Sequence, residues 1–175
     1  EGIRSAQARI EGSCSLLILT RCGIYAARDR FGRTPLVLGR NDDGFAVASE
    51  SCALPNLGYD PVRDLGPGEV VLLTPEGAET RVAPGDRLQI CSFLWVYYGY
   101  PASSYDGVNV EEMRYRSGAT LAAADRGQDG GFALDAVAGI PDSGTSHALG
   151  YSQEAGLPHT RPFVKYTPTW PRSFM

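Results

Sequence analysis

Tight-turn residues interrupt the first 88 residues so often that neither a long helix nor a long strand fits there. The apolar runs between the turns have strand length and lie at 14–20, 24–27, 36–39, 45–48, 70–74 and 80–82. Segments rich in Gly, Pro and Asp separate them, among them RCG, RDRFGRTP, NDDG and PEG. Such segments reverse the chain direction. Short strands joined in this way predict antiparallel sheets. The first run is nearly continuous in apolar character and predicts a strand buried on both faces.

Two helical segments accompany these strands. Residues 3–10 predict a short helix, and Gly12 is placed to cap its C-terminus. The segment SESCAL predicts the start of a second helix, with Ser49 and Glu50 at its N-terminus. A hydroxyl can cap a helix N-terminus, and an acid there interacts favourably with the helix dipole.

The pattern changes after about residue 106. Asn109 predicts the N-cap of a helix that runs to about Asp125, and Glu112 completes a capping box. The expected apolar face of this helix has helical spacing; it consists of Val110, Met113, Leu121 and Ala124. The sequence therefore predicts a long amphipathic helix.

A strand–loop–helix–strand pattern follows this helix. DAVAGI (135–140) predicts a buried strand, and a helix is expected from about Thr145 to Ala155, closed by Gly156. Residues 162–165 predict the next strand, which completes a βαβ unit. Further strands are expected beyond this sequence, because one such unit cannot cover both faces of a parallel sheet. We predict an α+β fold with two parts, 1–88 and 89–175.

Composition excludes several classes of protein. The 175 residues are 43% hydrophobic and carry a net charge of −4, with no clustered basic run. A nucleic-acid surface would need such a run. No apolar stretch approaches the roughly 20 residues of a membrane span. Cys14, Cys22, Cys52 and Cys91 have no CxxC spacing, and reduced thiols in the cytoplasm are expected.

Six segments together resemble one enzyme family. RDRFGRTPLVLG (28–39), ASESCAL (48–54) and LGPGEVVLL (65–73) resemble glutamine amidotransferases with an N-terminal nucleophile, and asparagine synthetases have similar versions of the first two. The other three resemble, in order, successive segments of amidophosphoribosyltransferases: ICSFLWVYYGYPASSYDGVNVEEMR (90–114), GIPDSGTSHALGYSQEAGLP (139–158) and FVKYTPTWPRSFM (163–175). The resemblance covers nearly the whole chain.

The resemblance implies a glutaminase domain with an αββα sandwich, followed by an α/β phosphoribosyltransferase domain. It implies that glutamine and phosphoribosyl pyrophosphate are the substrates and that Mg²⁺ is a cofactor. The product would be phosphoribosylamine, in the first step of purine synthesis. A cytoplasmic homo-oligomer without nucleic-acid or membrane partners is expected.

The sequence also departs from this family. The family's nucleophile is an N-terminal cysteine, whereas residue 1 here is glutamate. The family's two-aspartate motif before a Gly-Thr-Thr turn is missing. We therefore expect this sequence to be a middle section: the last third of the glutaminase domain and the first strands of the transferase, inactive in both half-reactions.

The loop between the predicted strand and helix of the second part is the strongest candidate site. Its residues are Pro141, Asp142, Ser143, Gly144, Thr145 and Ser146. The pattern alone fits either an ordinary helix cap or an anion site at the carboxyl end of a strand. The resemblance implies a pyrophosphate loop with Ser143 at a Mg²⁺ contact. Gly144 is expected to permit the turn.

Two basic residues near the end of the sequence are further candidates. Lys165 and Arg172 flank TPTWP, whose prolines exclude a helix. The residues alone fit a solvated loop. The resemblance implies the start of a lid over phosphoribosyl pyrophosphate, with Lys165 near the phosphates.

Other candidates have weaker support. Some amidophosphoribosyltransferases hold a 4Fe–4S cluster whose first cysteine matches Cys91. A cluster needs four thiolates, so in this chain alone Cys91 is expected in the core. Arg28 and Asp29 are expected to form an ion pair that orders a turn. His147 is expected to be structural or solvated, and His159 has no inferred role.

Two other functions remain open at this stage. An asparagine-synthetase-like amidotransferase would need an SGGxDS signature, which PDSGTS does not supply. A degenerate, non-catalytic paralogue kept for binding would also fit the missing nucleophile.

Overall fold

The computed structural model describes residues 1–126 and 133–165. The chain divides into two compact units. The first contains Glu1–Ser92 and Gly99–Asn109, and the second contains Phe93–Tyr98 and Val110–Met175. The domain limits 1–88 and 89–175 stay a prediction. None of the helices among the described residues is long and apolar enough to cross a membrane.

The first unit is built from antiparallel sheets, as the turn pattern predicts. Its strands are β1 (Leu16–Thr20), β2 (Gly23–Ala27), β3 (Val37–Asn41), β4 (Gly44–Ala48), β5 (Asp60–Asp64), β6 (Val70–Thr74) and β7 (Gly77–Val82). A four-stranded sheet has the order β1-β2-β6-β7, and a three-stranded sheet has the order β4-β3-β5. Two short helices, α1 (Gly2–Arg9) and α2 (Ala53–Asn56), and the hairpin β8 (Ser104–Tyr105) and β9 (Val108–Asn109) complete the unit.

The core of the first unit lies between these two sheets. Both sheets and the segments that join them contribute buried side chains, namely Ala26, Leu36, Leu38, Leu65, Val71 and Leu73. Phe45 and Val47 pack against this cluster from β4. The hydrophobic effect therefore fixes both sheets through a shared apolar layer.

Two expectations for the first unit are wrong, and one strand was not predicted. The strand expected to be buried on both faces is an exposed edge strand, β1, in which Leu19 is 80% exposed. Apolar content alone cannot distinguish an edge strand from a central one. The helix α1 ends at Arg9, and its C-terminal cap is Ile10 and not Gly12. The segment DPVRD forms β5, a strand that the sequence analysis did not predict, because the segment contains a proline and a single β-branched residue.

The second unit is mainly helical. It contains a π-helical turn at Leu94–Tyr98, the long helix α3 (Val110–Arg126) and the helix α4 (Gly144–Ala155). The bounds of α3 and α4 lie within a residue or two of those predicted. Gly156 caps α4 in the left-handed conformation, with φ 70°, which glycine adopts without steric cost.

The two long helices approach each other through glycine. A β-carbon added to Gly118 would lie 1.9 Å from the carbonyl oxygen of His147, and one added to Gly150 would lie 1.9 Å from that of Tyr115. The buried face of α3 consists of Val110, Arg114, Gly118 and Ala122. The predicted apolar face is therefore wrong in its second half: Val110 is buried and Met113 is half-buried, whereas Leu121 and Ala124 are exposed. Small residues allow the close approach, which a hydrophobicity pattern does not register.

A short parallel pair of strands precedes and follows α4. β10 (Val137–Ala138) pairs in parallel with β11 (His159–Thr160), so the predicted βαβ connection is present. The second strand lies at 159–160 and not at 162–165. β10 is not buried as predicted, and Ile140 after it is 63% exposed, because only one described strand pairs with β10.

Candidate functional site

Residues 139–143 connect the end of β10 to the first residue of α4, so the candidate loop Pro141–Ser146 includes the first turn of that helix. The Gly144 N–H donates to the Ile140 carbonyl and the Thr145 N–H donates to the Asp142 carbonyl, at 3.0 and 3.2 Å. The peptide bond between Pro141 and Asp142 is cis. The loop therefore has an ordered backbone, but two of its N–H groups are directed to its own carbonyls.

Ser143 is the N-cap residue of α4, but its hydroxyl makes no capping hydrogen bond with the described residues. The hydroxyl is thus left for another partner. Gly144 is the first helical residue, and its φ lies outside the left-handed region. The expectation that Gly144 is needed for the turn is therefore wrong.

Gly139 is the glycine that the loop requires, and the sequence pattern did not single it out. A β-carbon at Gly139 would lie 2.7 Å from the Gly144 carbonyl oxygen and 2.7 Å from the Thr145 Cα. Both are backbone atoms of the first turn of α4, so they cannot swing aside. The absence of a side chain at Gly139 lets the helix N-terminus lie directly against the end of β10.

Glu111 is a second residue that the sequence pattern did not single out. The Ser146 hydroxyl donates to its carboxylate at 2.5 Å. Ser146 is buried in the first turn of α4, and Glu111 lies in the first turn of α3. This hydrogen bond ties the helix that follows the loop to its neighbour. The two residues are 35 positions apart in the sequence, so no local sequence pattern could have predicted their contact.

Lys165 lies beside the loop. Its Nζ is 3.2 Å from an Asp142 carboxylate oxygen, and both side chains are largely exposed. The structure thus brings together two residues that the sequence analysis had named separately. Arg172, the other lid candidate, lies outside the described residues.

An open groove of about 550 Å³ adjoins the loop within the second unit. Ser143, Gly144 and His147 line one part of it, and Phe93, Val96 and Tyr97 line the other. His147 also contacts the Val96 carbonyl through Nε2 at 3.1 Å, which agrees with the structural role expected for it. The groove is mostly apolar, with Ser143 as a polar group beside the loop.

Oxygen donors at the loop suit a hard cation, whereas the cysteines of this chain do not form a cluster site. Asp142 and Ser143 offer a carboxylate and a hydroxyl, which are ligand types that Mg²⁺ prefers. No group of three or more His, Cys, Asp or Glu that could hold a metal ion occurs in 1–126 and 133–165. The expectation that Cys91 is a core thiol in this chain is wrong, because it is exposed.

In the first unit, Arg28 forms a buried ion pair, but with a different partner from the one expected. Its guanidinium donates to both carboxylate oxygens of Asp106, at 2.9 and 2.8 Å, and to the carbonyls of Leu65 and Gly32. Asp29 instead accepts the N–H groups of the two residues Phe31 and Arg33, so it does order the turn. Asp106 and Asp29 therefore both have structural roles.

The acid Asp64 lies near this ion pair. Burial raises the pKa of its carboxyl above the ordinary value, and the nearby charge of Asp106 adds to the rise. One oxygen of Asp64 accepts no hydrogen bond from the described residues. This arrangement destabilises the charged form.

The expected caps of α2 are also wrong. The N-cap is Cys52, without a side-chain capping bond in the described structure. Glu50 accepts a hydrogen bond from the Tyr105 hydroxyl, and the Ser51 hydroxyl accepts one from the Ser104 N–H. These polar residues hold the 104–109 hairpin and not the helix end, which only tertiary structure reveals.

Comparisons with known proteins extend over both units. A family model described as a glutamine amidotransferase domain matches residues 1–56. The amidophosphoribosyltransferase of Archaeoglobus fulgidus is 35% identical over 155 residues, which are 88% of this chain and 33% of that protein. The one from Bacillus subtilis is 33% identical over 164 residues, 93% of this chain and 33% of that protein.

A solved structure from the same class of enzyme also matches this chain. The glutamine phosphoribosylpyrophosphate amidotransferase from B. subtilis, complexed with ADP and GMP, matches with a TM-score of 0.79 and 30% identity. The match covers 98% of this chain and 38% of that one. The similarity supports the predicted α+β fold. The chain spans about a third of the length of the curated relatives it matches.

Proposed function

We infer that the chain is a section of an amidophosphoribosyltransferase, the enzyme type that it resembles along nearly its whole length. The observation that carries this inference is the match in both sequence and structure across both units, at 30% identity and a TM-score of 0.79. The whole enzyme would transfer ammonia from glutamine to phosphoribosyl pyrophosphate. It would form phosphoribosylamine for purine synthesis, in the cytoplasm and as a homo-oligomer.

In this proposal, the loop Pro141–Ser146 binds the pyrophosphate group. The ordered backbone and the N-terminus of α4 supply a positive electrostatic environment without a cluster of basic side chains. Gly139 keeps the helix N-terminus against the end of β10, and Glu111 positions Ser146 from α3. The Ser143 hydroxyl, which caps no backbone group, is the side chain available to the ligand.

The proposal includes Mg²⁺ at this loop. Mg²⁺ commonly binds through one or two carboxylates together with substrate phosphates and water. Asp142 and Ser143 offer a carboxylate and a hydroxyl of this kind. When bound, Mg²⁺ would neutralise part of the pyrophosphate charge. The carboxylate of Asp142 would then bind Mg²⁺ and would not repel the pyrophosphate.

Lys165 is proposed to contact the phosphates, and Arg172 to belong to the same lid. The ion pair with Asp142 holds Lys165 at the loop. Because this pair is exposed, it contributes little to stability and its lysine is free to exchange partners. Phosphate binding would give the ammonium a more highly charged acceptor.

The first unit is proposed to belong to the half that releases ammonia from glutamine. The match of residues 1–56 to a glutamine amidotransferase domain supports this assignment. A 4Fe–4S cluster in the whole enzyme would require ligands other than those this chain brings together, so Cys91 is only a candidate first ligand. The described residues do not form such a site.

Calorimetric titration of the purified chain tests the ligand assignment. We expect phosphoribosyl pyrophosphate with Mg²⁺ to bind and to be displaced by pyrophosphate. Lys165→Gln should weaken binding several-fold, whereas Arg116→Gln, which removes an exposed ion pair on α3, should not. Tighter binding of ATP than of phosphoribosyl pyrophosphate would favour the asparagine-synthetase-like alternative.

A further inference from the structure

Three arginine side chains surround one phenylalanine ring in the first unit. The guanidinium carbons of Arg30, Arg33 and Arg87 lie 5.0, 5.2 and 5.2 Å from the centroid of the Phe31 ring. A ring has two faces, so at least two of these cations share one face. Each stacking contact is worth only about 0.5–1 kcal/mol at an exposed site, and the like charges repel one another.

No carboxylate oxygen of the described residues lies within 4.0 Å of a nitrogen of these three guanidinium groups. None of the three arginines forms an ion pair there. The nearest acid in the turn, Asp29, is buried and already accepts two backbone N–H groups. Arg33 has one side-chain partner, the neutral amide oxygen of Gln89, at 3.3 Å. Three guanidinium groups without an ion-pair partner around one ring form an electrostatic site for an anion.

The backbone holds this cluster in place. The Gln89 N–H donates to the Phe31 carbonyl at 2.7 Å, which joins the segment of Arg87 to the turn of the other two arginines. Gly32 is fixed with φ +69°, and a β-carbon there would lie 2.6 Å from a methyl of Leu88. The arginines therefore extend from two segments that are packed together, and not from independent loops.

A cavity of about 190 Å³ adjoins the cluster. Arg30, Phe31 and Arg33 are among the residues that line this cavity, together with Gln7 and Glu11. The side-chain oxygens of Gln7 and Glu11 can accept hydrogen bonds from hydroxyl or amine donors. The cavity thus offers space for the uncharged part of a molecule whose anionic group lies on the arginines.

We propose that Arg30, Arg33 and Arg87, grouped around Phe31, form a binding site for a phosphate group in the first unit. One guanidinium group can donate two parallel, charge-assisted hydrogen bonds to two oxygens of a phosphate. Phosphate is the fitting anion because its two negative charges and several oxygens can engage more than one arginine. This site is independent of the loop Pro141–Ser146, which lies in the second unit.

The test is an NMR titration of the 175-residue chain with inorganic phosphate and with a phosphate ester, ribose 5-phosphate. Metal-free buffer with EDTA and constant ionic strength removes general salt effects and any Mg²⁺-dependent binding elsewhere. We expect saturable shifts of the backbone amides of Phe31 and Gln89. Tighter binding of the ester would identify a phosphorylated small molecule as the ligand, and equal binding would identify free phosphate.

Two variants complete the test. Arg87→Gln should lower phosphate affinity at least fivefold. Arg40→Gln is the matched control, because Arg40 lies over a single ring, Phe45, at 5.6 Å and without other arginines; it should leave affinity unchanged. The absence of saturable shifts, or an equal loss in both variants, would overturn the proposal. Tighter binding of a short RNA than of ribose 5-phosphate would also overturn it.

Discussion

Replacing Gly118 by alanine tests the glycine contact between α3 and α4. The new β-carbon would lie 1.9 Å from the His147 carbonyl oxygen, whereas ordinary contacts begin near 3.4 Å. The helices would have to separate by about 1.5 Å, and the obstructing atom belongs to helix backbone. Overpacking of this kind costs about 1–3 kcal/mol, and a rigid backbone places the cost at the upper end.

Helix propensity opposes part of this cost. Alanine favours a helix interior over glycine by about 1 kcal/mol, so the net destabilisation of the second unit is about 2 kcal/mol. Amide hydrogen exchange of α3 and α4 should therefore become roughly 30-fold faster. Gly150→Ala should have a similar effect, because its β-carbon meets the Tyr115 carbonyl oxygen at the same distance.

The control is Gly144→Ala, in the first turn of α4. Its β-carbon would make only ordinary contacts, the nearest at 3.7 Å, so exchange should not become faster. Slower exchange in Gly118→Ala, as propensity alone would produce, would refute the close helix contact.

Three further predictions concern the candidate loop and the first unit. Gly139→Ala should lower the affinity for phosphoribosyl pyrophosphate tenfold or more in a calorimetric titration, because its β-carbon would displace the first turn of α4; an unchanged affinity would contradict the role given to this glycine. Glu111→Gln should weaken the same affinity less than Glu111→Ala, since glutamine still accepts the Ser146 hydrogen bond; equal losses would exclude the positioning role. Burial alone would raise the pKa of Glu69, but hydrogen bonds, chiefly from Arg63, outweigh it and hold this pKa below its ordinary value. A carboxyl whose pKa is lower in the folded state stabilises the fold at pH values above its unfolded-state pKa, and this stabilisation is lost as pH falls through its folded-state pKa. Glu69→Gln should therefore reduce the decrease of the unfolding free energy with falling pH below about pH 4.5, measured by denaturant titrations. An unchanged dependence of the unfolding free energy on pH would contradict this.

Elements with local signals could be predicted from the sequence. The hairpins of the first unit follow from glycine-containing turns, and the bounds of α4 follow from the glycine at its end. The loop before α4 was found because small residues lie between a strand and a helix. These features depend on neighbouring residues, so the sequence pattern contains them.

Features that depend on distant contacts could not be predicted. Leu19 is as apolar as a core residue, yet it lies in an edge strand. The buried Arg28 pairs with an acid 78 residues away and not with Asp29 beside it. Gly118 and Gly139 are required by backbone atoms of other segments, which no periodicity encodes.

A chimeric enzyme tests the central claim most directly. The section of the B. subtilis amidophosphoribosyltransferase that this chain matches would be replaced by these 175 residues. We predict that the chimera forms phosphoribosylamine from glutamine and phosphoribosyl pyrophosphate. Gly139→Ala should lower this activity about tenfold or more at phosphoribosyl pyrophosphate concentrations below saturation, whereas Gly77→Ala, whose β-carbon meets open space, should not. A chimera with native helix content and oligomer size that hydrolyses glutamine, but at a rate independent of phosphoribosyl pyrophosphate, would contradict the account.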